Sequence, residues 1–304
     1  MGGSSGDYLT VRDTEELTEE AQRAIEQSRL DTDINALLQR HLLAINDRDV
    51  EQVRERLQDI EDALGDRVDE MDRLLFGGSV AKHTYVDGFS DIDALVLLDK
   101  VSRFSYPPGE VREQLARVLR QSLRQGEIQE IRVGNVAVTV EYRDGAEIQL
   151  VPAIKQGEEV AISSWDGTAW SVANPGRFSR ELTRVNQSQG QSVVPAIKLT
   201  KAICANRFGE AGPSGHLVEA LAVEAFREYS AQRSPKAMVT HLVDYASQRV
   251  LRPTSDITGQ SRNIDQALGD NNSPARQELS RRLTRLARTM ESARSMADWR
   301  AMLE

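Results

Sequence analysis

Residues 76–99 read FGGSVAKHTYVDGFSDIDALVLLD. Gly77-Gly78-Ser79 opens the stretch, and Asp91 and Asp93 flank a single isoleucine before an apolar run. Residues two apart on a strand share a face, so a strand over 91–98 projects both carboxylates together while Ile92 turns toward a core. Two ionised carboxylates side by side repel each other. A divalent cation removes that repulsion, and oxygen ligands beside phosphate suit Mg²⁺ or Mn²⁺. An isolated Asp-x-Asp is more often a turn cap followed by an exposed acid. The upstream glycines alter the weighing: without side chains, their N–H groups approach a phosphate closely, and a helical turn in SVAKHTY favours its charge. Gly78 and Ser79 are therefore candidate phosphate-binding residues, and Asp91 and Asp93 candidate metal-binding, catalytic residues. Lys82 and His83 lie just beyond the cradle and read as nucleotide contacts or as a solvated turn.

Upstream of this stretch, residues 13 to 73 have helical periodicity. Ile34, Leu37, Leu38, Leu42, Leu43 and Ile45 approach an i, i+3, i+4 pattern, and Val53, Leu57, Ile60, Leu64, Val68, Met71 and Leu74 repeat at steps of three and four. The second set predicts one long amphipathic helix running to the edge of the glycines. Downstream, PPGEVREQLARVLRQSLRQ predicts a proline-opened helix. Period-two alternation with an Asp144-Gly145 hairpin signal predicts strands over 128–133, 136–142 and 146–152, with a further one near 159–164. From 175 the pattern is helical again, over 175–188, 192–207, 213–230, 235–250 and 273–302. The organisation predicted is a leader over 1–12, helices and a sheet-bearing catalytic core over 13–175, and a helical lobe over 176–304. The fold class is α+β, bilobed, with a mixed sheet and a central cleft.

Gly78-Ser79, the spacing and SDIDALV resemble the Gly-Ser…Asp-x-Asp signature of the polymerase-β-like nucleotidyltransferase superfamily. KHTYVDGFSDIDALV is most similar to the bacterial cGAS/DncV-like nucleotidyltransferases (CD-NTases). EIQLVPA resembles the strand that carries that family's third carboxylate. NPGRFSRELTRVN with VVPAIKLTKAICA resembles the segment that delivers a lysine to the triphosphate. PSGHLVEALAVEAF resembles its Ser-Tyr-x-x-Glu helix, with His216 where tyrosine is common. DITGQSRNID resembles its Asp-Pro-x-Gly-x-x-Asn-x-x-Asp segment, with Ile257 in place of proline. The resemblance runs from about residue 75 to 270. It implies a Mg²⁺-dependent (or Mn²⁺-dependent) enzyme that joins NTPs, ATP or GTP among them, into a cyclic oligonucleotide second messenger. The same likeness implies an effector protein that senses the product during phage infection (CBASS).

One position departs from the pattern. The third acid is expected three residues before Pro152, where this chain has Gln149. Glutamine can lend a carbonyl oxygen but cannot neutralise a cation or take a proton at ordinary pH. Three readings stay open. Glu147, two residues earlier on the same strand face, is the third catalytic, metal-binding acid; or Asp91 and Asp93 work with Gln149 and an acid such as Glu141; or the site binds nucleotide without efficient catalysis. A transferase acting on RNA or protein is the rival enzyme.

Lys198 and Lys201, three apart, lie on one helical face, and the resemblance makes them candidate triphosphate ligands; a solvated face is the plain alternative. Ser214 fits a helix N-cap and equally a phosphate contact. His216 on an apolar helix reads as a partly buried packing residue, and Asp256 and Asp265 as turn and cap residues. Cys204 is the one cysteine among 304 residues, so no intrachain disulfide forms, and it reads as a core residue rather than a nucleophile in a cytoplasmic protein. Four histidines spread along the chain suggest no zinc site. A net charge of −9 argues against a protein that coats nucleic acid or is activated by double-stranded DNA. No apolar run approaches a membrane span.

Overall fold

The computed structural model describes residues 11–45, 50–65, 71–76, 92–98, 106–123, 126–156, 159–164, 166–257 and 264–304. Helices α1 (Val11–Ala44) and α2 (Val50–Gly65) lead into strands β1 (Met71–Phe76) and β2 (Ile92–Leu98). Helix α3 (Pro108–Ser122) follows, then β3 (Ile128–Val133), β4 (Val138–Tyr142), β5 (Glu147–Gln156), β6 (Glu159–Ser163) and β7 (Trp170–Ala173). The remainder is helical: α4 (Pro175–Ser188), α5 (Val193–Phe208), α6 (Gly215–Phe226), α7 (Pro235–Arg249), α8 (Pro274–Ser292) and α9 (Met296–Leu303).

The sheet runs β1-β2-β5-β4-β3, with β6 added to β5 and β7 to β6. β2 and β5 pair in parallel and the other ladders are antiparallel, so the sheet is mixed as expected. A parallel pair needs a long crossover; here α3, β3 and β4 make it. One face of the sheet is apolar: Ala94, Val96, Leu98, Val138, Val140, Ile148, Leu150 and Ile154 pack under Leu57, Ile60 and Leu64 of α2 and Leu115, Ala116 and Leu119 of α3.

Two expectations need correction. The period-three pattern does not carry the helix through Met71 and Leu74, and Val68 lies outside the described residues. The helix ends at Gly65, and residues 71–76 form β1, antiparallel to β2, with Leu74 opposite Val96 and Phe76 opposite Ala94. Steps of three are compatible with both structures over so short a run, and the unpaired edge of β2 decides between them. Likewise 273–302 is not one helix. The chain breaks after Ser292, and Ser295 caps a new one, accepting from the Asp298 amide while the Asp298 carboxylate accepts from the Ser295 amide. β7 was not anticipated; its Trp170 indole donates to the Tyr106 carbonyl at 2.9 Å.

The helices after β7 form a second core, and α1 joins it. Ile34 and Leu38 are buried there with Leu182, Ile197, Leu221, Phe226, Leu242 and Trp299. The α1–α7 contact is also polar: the Lys236 amide donates to Asn35 Oδ1 at 2.9 Å, and Lys236 Nζ reaches Asp31 at 2.6 Å. A division of the chain at residue 175 thus leaves α1, which precedes the sheet, packed with the helices that follow it. Among the described residues, no helix is long and apolar enough to cross a membrane.

A buried clasp closes the long connection between α7 and α8. The Arg276 guanidinium, with no exposed surface, donates to the carbonyls of Val250, Arg252, Gly269 and Asp270 at 3.0 to 3.2 Å. It also meets the equally enclosed Asp265 carboxylate at 2.6 Å. The Thr254 amide donates to the same carboxylate. Asp265 is therefore a clasp residue rather than a simple cap. Burial alone raises its pKa, but Arg276 and the Thr254 amide outweigh burial and hold it below the usual value. A depressed carboxyl stabilises the fold above its unfolded value of about 3.9 and loses that contribution as pH falls through the folded one. Arg276→Met strands a buried charge and is expected to cost about 3 to 5 kcal/mol in urea unfolding at neutral pH, whereas Arg276→Met with Asp265→Leu recovers most of it. A single-variant cost below about 1 kcal/mol refutes the clasp.

Cys204 is buried in the helical core, and burial pushes its thiol up to about 12. The native protein at pH 8 is expected to resist a thiol reagent until denaturant is added. Stoichiometric labelling within seconds, read by absorbance, contradicts this placement.

Candidate active site

The candidate residues fall into two groups on different cores. The first lies on the sheet face opposite α2 and α3. On β5, Ile148 and Leu150 enter the core, so Glu147, Gln149 and Val151 take the other face. Behind the polar end of this face, Leu97, Ala153 and Ile162 form a small apolar cluster with Leu95 and Val151 at its edge. The parallel register makes Asp93 the neighbour of Gln149, just as Ile92 neighbours Ile148. On the far side of β5, Thr139 opposes Gln149 and Glu141 opposes Glu147. The row across the strands is thus Asp93, Gln149, Thr139 and Arg132. The side chain of Asp93, and Gly77, Gly78, Ser79, Lys82, His83 and Asp91 entirely, lie outside the described residues.

Glu147 and Glu141 face each other across the ladder, an arrangement that destabilises a sheet when both are ionised. Arg132 resolves it. Its guanidinium lies 2.7 Å from Glu147 and 3.3 Å from Glu141. The three side chains are partly solvated, which limits the pairs to about 0.2 to 1 kcal/mol each. The chemical consequence exceeds the energetic one, because the Glu147 carboxylate already has a cationic partner. Gln149 is neutral and sits one row closer to the apolar cluster. Among the described residues, no three His, Cys, Asp or Glu side chains converge as a metal cluster. The donors on the Asp93–Gln149 row are carboxylate and amide oxygens, and this donor set fits a hard divalent cation.

The second group is built by α5 and α6. Ser214 has extended backbone and accepts from the Leu217 amide at 3.3 Å, making it the N-cap of α6. Lys201 of α5 lies buried and meets the buried Glu219 of α6 at 2.7 Å. Gly215 brings the two helices close: a Cβ there would stand 3.3 Å from Lys201 Nζ. Lys198, one turn earlier on α5, is only half-buried. The His216 ring meets Phe178 edge-on at 5.2 Å, in keeping with a packing residue.

Arg132 was not singled out from the sequence, and Glu219 entered only as the glutamate of the Ser-Tyr-x-x-Glu resemblance. Arg132 sits between Ile131 and Val133 in an alternating strand and reads there as an ordinary outward residue. Glu219 left a clearer signal, an acid inside the otherwise apolar turn HLVEALAV. A buried carboxylate is tolerated only when paired.

A family profile for the Second Messenger Oligonucleotide or Dinucleotide Synthetase (SMODS) domain matches residues 29–186, over half of the chain. No curated protein sequence matches. Solved structures share the fold at low identity. The CD-NTase CdnG of Bradyrhizobium diazoefficiens, in complex with GTP, is 16% identical with a TM-score of 0.62, covering 86% of this chain and 91% of its own. CdnC of E. coli MS115-1, with ATP, is 14% identical with a TM-score of 0.62 over 83% and 90%. DncV of Vibrio cholerae, a cyclic AMP-GMP synthase with a nonhydrolyzable GTP, is 13% identical with a TM-score of 0.62 over 99% and 91%. The α+β architecture is accordingly that of a polymerase-β-like nucleotidyltransferase. The chain belongs to the second messenger oligonucleotide or dinucleotide synthetase family of bacterial cGAS/DncV-like nucleotidyltransferases.

Proposed function

We propose that this nucleotidyltransferase condenses NTPs into a cyclic oligonucleotide second messenger, read by an effector protein in cytoplasmic anti-phage (CBASS) signalling. The single observation that carries the reading is the register of β2 on β5, which makes Asp93 the neighbour of Gln149 across the parallel ladder. The nucleotides bound in CdnG and CdnC support GTP and ATP as substrates. The acidic net charge supports independence from double-stranded DNA.

In this reading Asp91 and Asp93, with the Gln149 carbonyl oxygen, would hold Mg²⁺ or Mn²⁺. A bound divalent ion supplies neutralisation of phosphate charge and a lowered pKa for the attacking ribose hydroxyl. The chain's own groups do the rest. Gly78 and Ser79 hold phosphate, the opening turn of α6 with Ser214 offers N–H and hydroxyl donors, and Lys198 and Lys201 supply positive charge. Together they align the α-phosphate of one NTP with the ribose of another, where positioning accounts for much of the barrier. Glu147, restrained by Arg132, contributes less than Gln149.

Purified protein incubated with four labelled NTPs and Mg²⁺ or Mn²⁺ is expected to form a small, phosphatase-resistant product, resolved by chromatography and identified by mass spectrometry. Label appearing only on RNA or protein overturns the reading. Asp91→Asn and Asp93→Asn are expected to reduce synthesis to background with unchanged melting temperature.

The same assay separates the candidate third ligands. Gln149→Ala is expected to lower kcat by about tenfold or more, the loss of one well-placed polar group, while Glu147→Gln stays within a few-fold of wild type. The reverse order assigns the role to Glu147.

A further inference from the structure

Lys201 and Glu219 are an unusual pair to find in an apolar core. Their side chains retain 4% and 1% exposure, and Nζ lies 2.7 Å from Oε1. Such a pair is a poor stability device: desolvating both charges costs about as much as their attraction returns, and apolar residues of similar volume do as well or better. Its geometry suggests another use. Glu219 lies four residues after Gly215, hence one turn below it on the same face of α6. The Lys201 ammonium is packed against that face at its first turn, where the missing Cβ of Gly215 leaves room. The first turn of a helix carries N–H groups without intrahelical partners and the positive end of the dipole. One helix therefore supplies both an anion-receptive end and the carboxylate that fixes a lysine beneath it.

We infer that Glu219 is a positioning residue, which keeps Lys201 protonated and aimed at the opening turn of α6, where the NTP polyphosphate binds. The inference rests on the functional reading above for the identity of the anion. A lysine buried this deeply without a counter-charge tends to lose its proton. The Glu219 carboxylate supplies that counter-charge, accepting from the Lys201 ammonium at 2.7 Å. It does not touch the nucleotide.

The test compares Lys201→Met with Glu219→Leu, as a double variant, against Glu219→Gln and Glu219→Asp. The double variant is apolar and expected to fold, with a melting temperature at or above wild type. Its KM for ATP or GTP, and the Kd by calorimetry, are expected to rise about tenfold or more, the loss of a charge-assisted contact, with a smaller change in kcat. Glu219→Gln is expected to raise KM, and more so at pH 8 than at lower pH, because a buried lysine without its counter-charge loses its proton more readily; Glu219→Asp recovers part of the loss. A double variant that folds with unaltered NTP affinity overturns the inference, as does a Glu219→Gln defect independent of pH. Wild-type protein that binds NTPs but transfers no nucleotide sinks the functional reading alone, since the calorimetric comparison still decides the role of Glu219. Wild-type protein that binds no NTP overturns both.

Discussion

The parallel pairing of β2 with β5 is the constraint on which the rest of this structure depends. Ile92 to Leu98 run beside Ile148 to Ile154 without a shift. Because side chains alternate with a period of two, this register decides what each face contains. A slip of one residue would carry Gln149 and Glu147 into the layer occupied by Ile148 and Leu150 and expose those aliphatic groups. The apolar burial beneath α2 and α3 thus fixes the polar arrangement on the other side. Core packing and site assembly are enforced by the same ladder.

Charge is handled differently at three depths. At the sheet surface, one arginine separates two opposed glutamates, and water shares the work. In the α7–α8 connection, Arg276 and Asp265 are wholly enclosed, and backbone carbonyls satisfy the remaining guanidinium donors. This is the condition under which a buried pair is tolerable. Between α5 and α6 the ammonium and carboxylate are almost as deep, but they sit at a helix end rather than within a closed knot of carbonyls. The contrast separates a pair that holds a loop from one that faces the start of a helix.

Much of the architecture was legible because its signals were local. Prolines at the first turns, the Asp144-Gly145 hairpin and the alternation over Val138–Tyr142 and Glu147–Leu150 each act within a few residues. Asn174 ahead of Pro175 caps α4 in the same way, accepting from the Arg177 amide. What was misread depended on partners far along the chain. Met71–Phe76 becomes a strand because β2 offers an edge, and no periodicity within six residues can reveal that. The Ser295 break was visible in principle as a capping box, but it competed with a strong helical stripe on both sides. In the site, Gln149 could be located by counting back from Pro152. The engagement of Glu147 could not, since Arg132 reaches it from a different strand across a ladder.

Helix α1 belongs in space to helices that follow it by a whole sheet. During synthesis the ribosome releases Ile34 and Leu38 long before Phe178, Leu221 or Trp299 exist, so their native cover arrives only with the helices that follow the sheet. The sheet and its α2–α3 cover can assemble earlier from shorter-range contacts. The helical core is therefore completed by a returning chain, with α1 held by helices that follow it by a whole sheet. Partial products of translation that stop within the sheet would carry that apolar stripe uncovered.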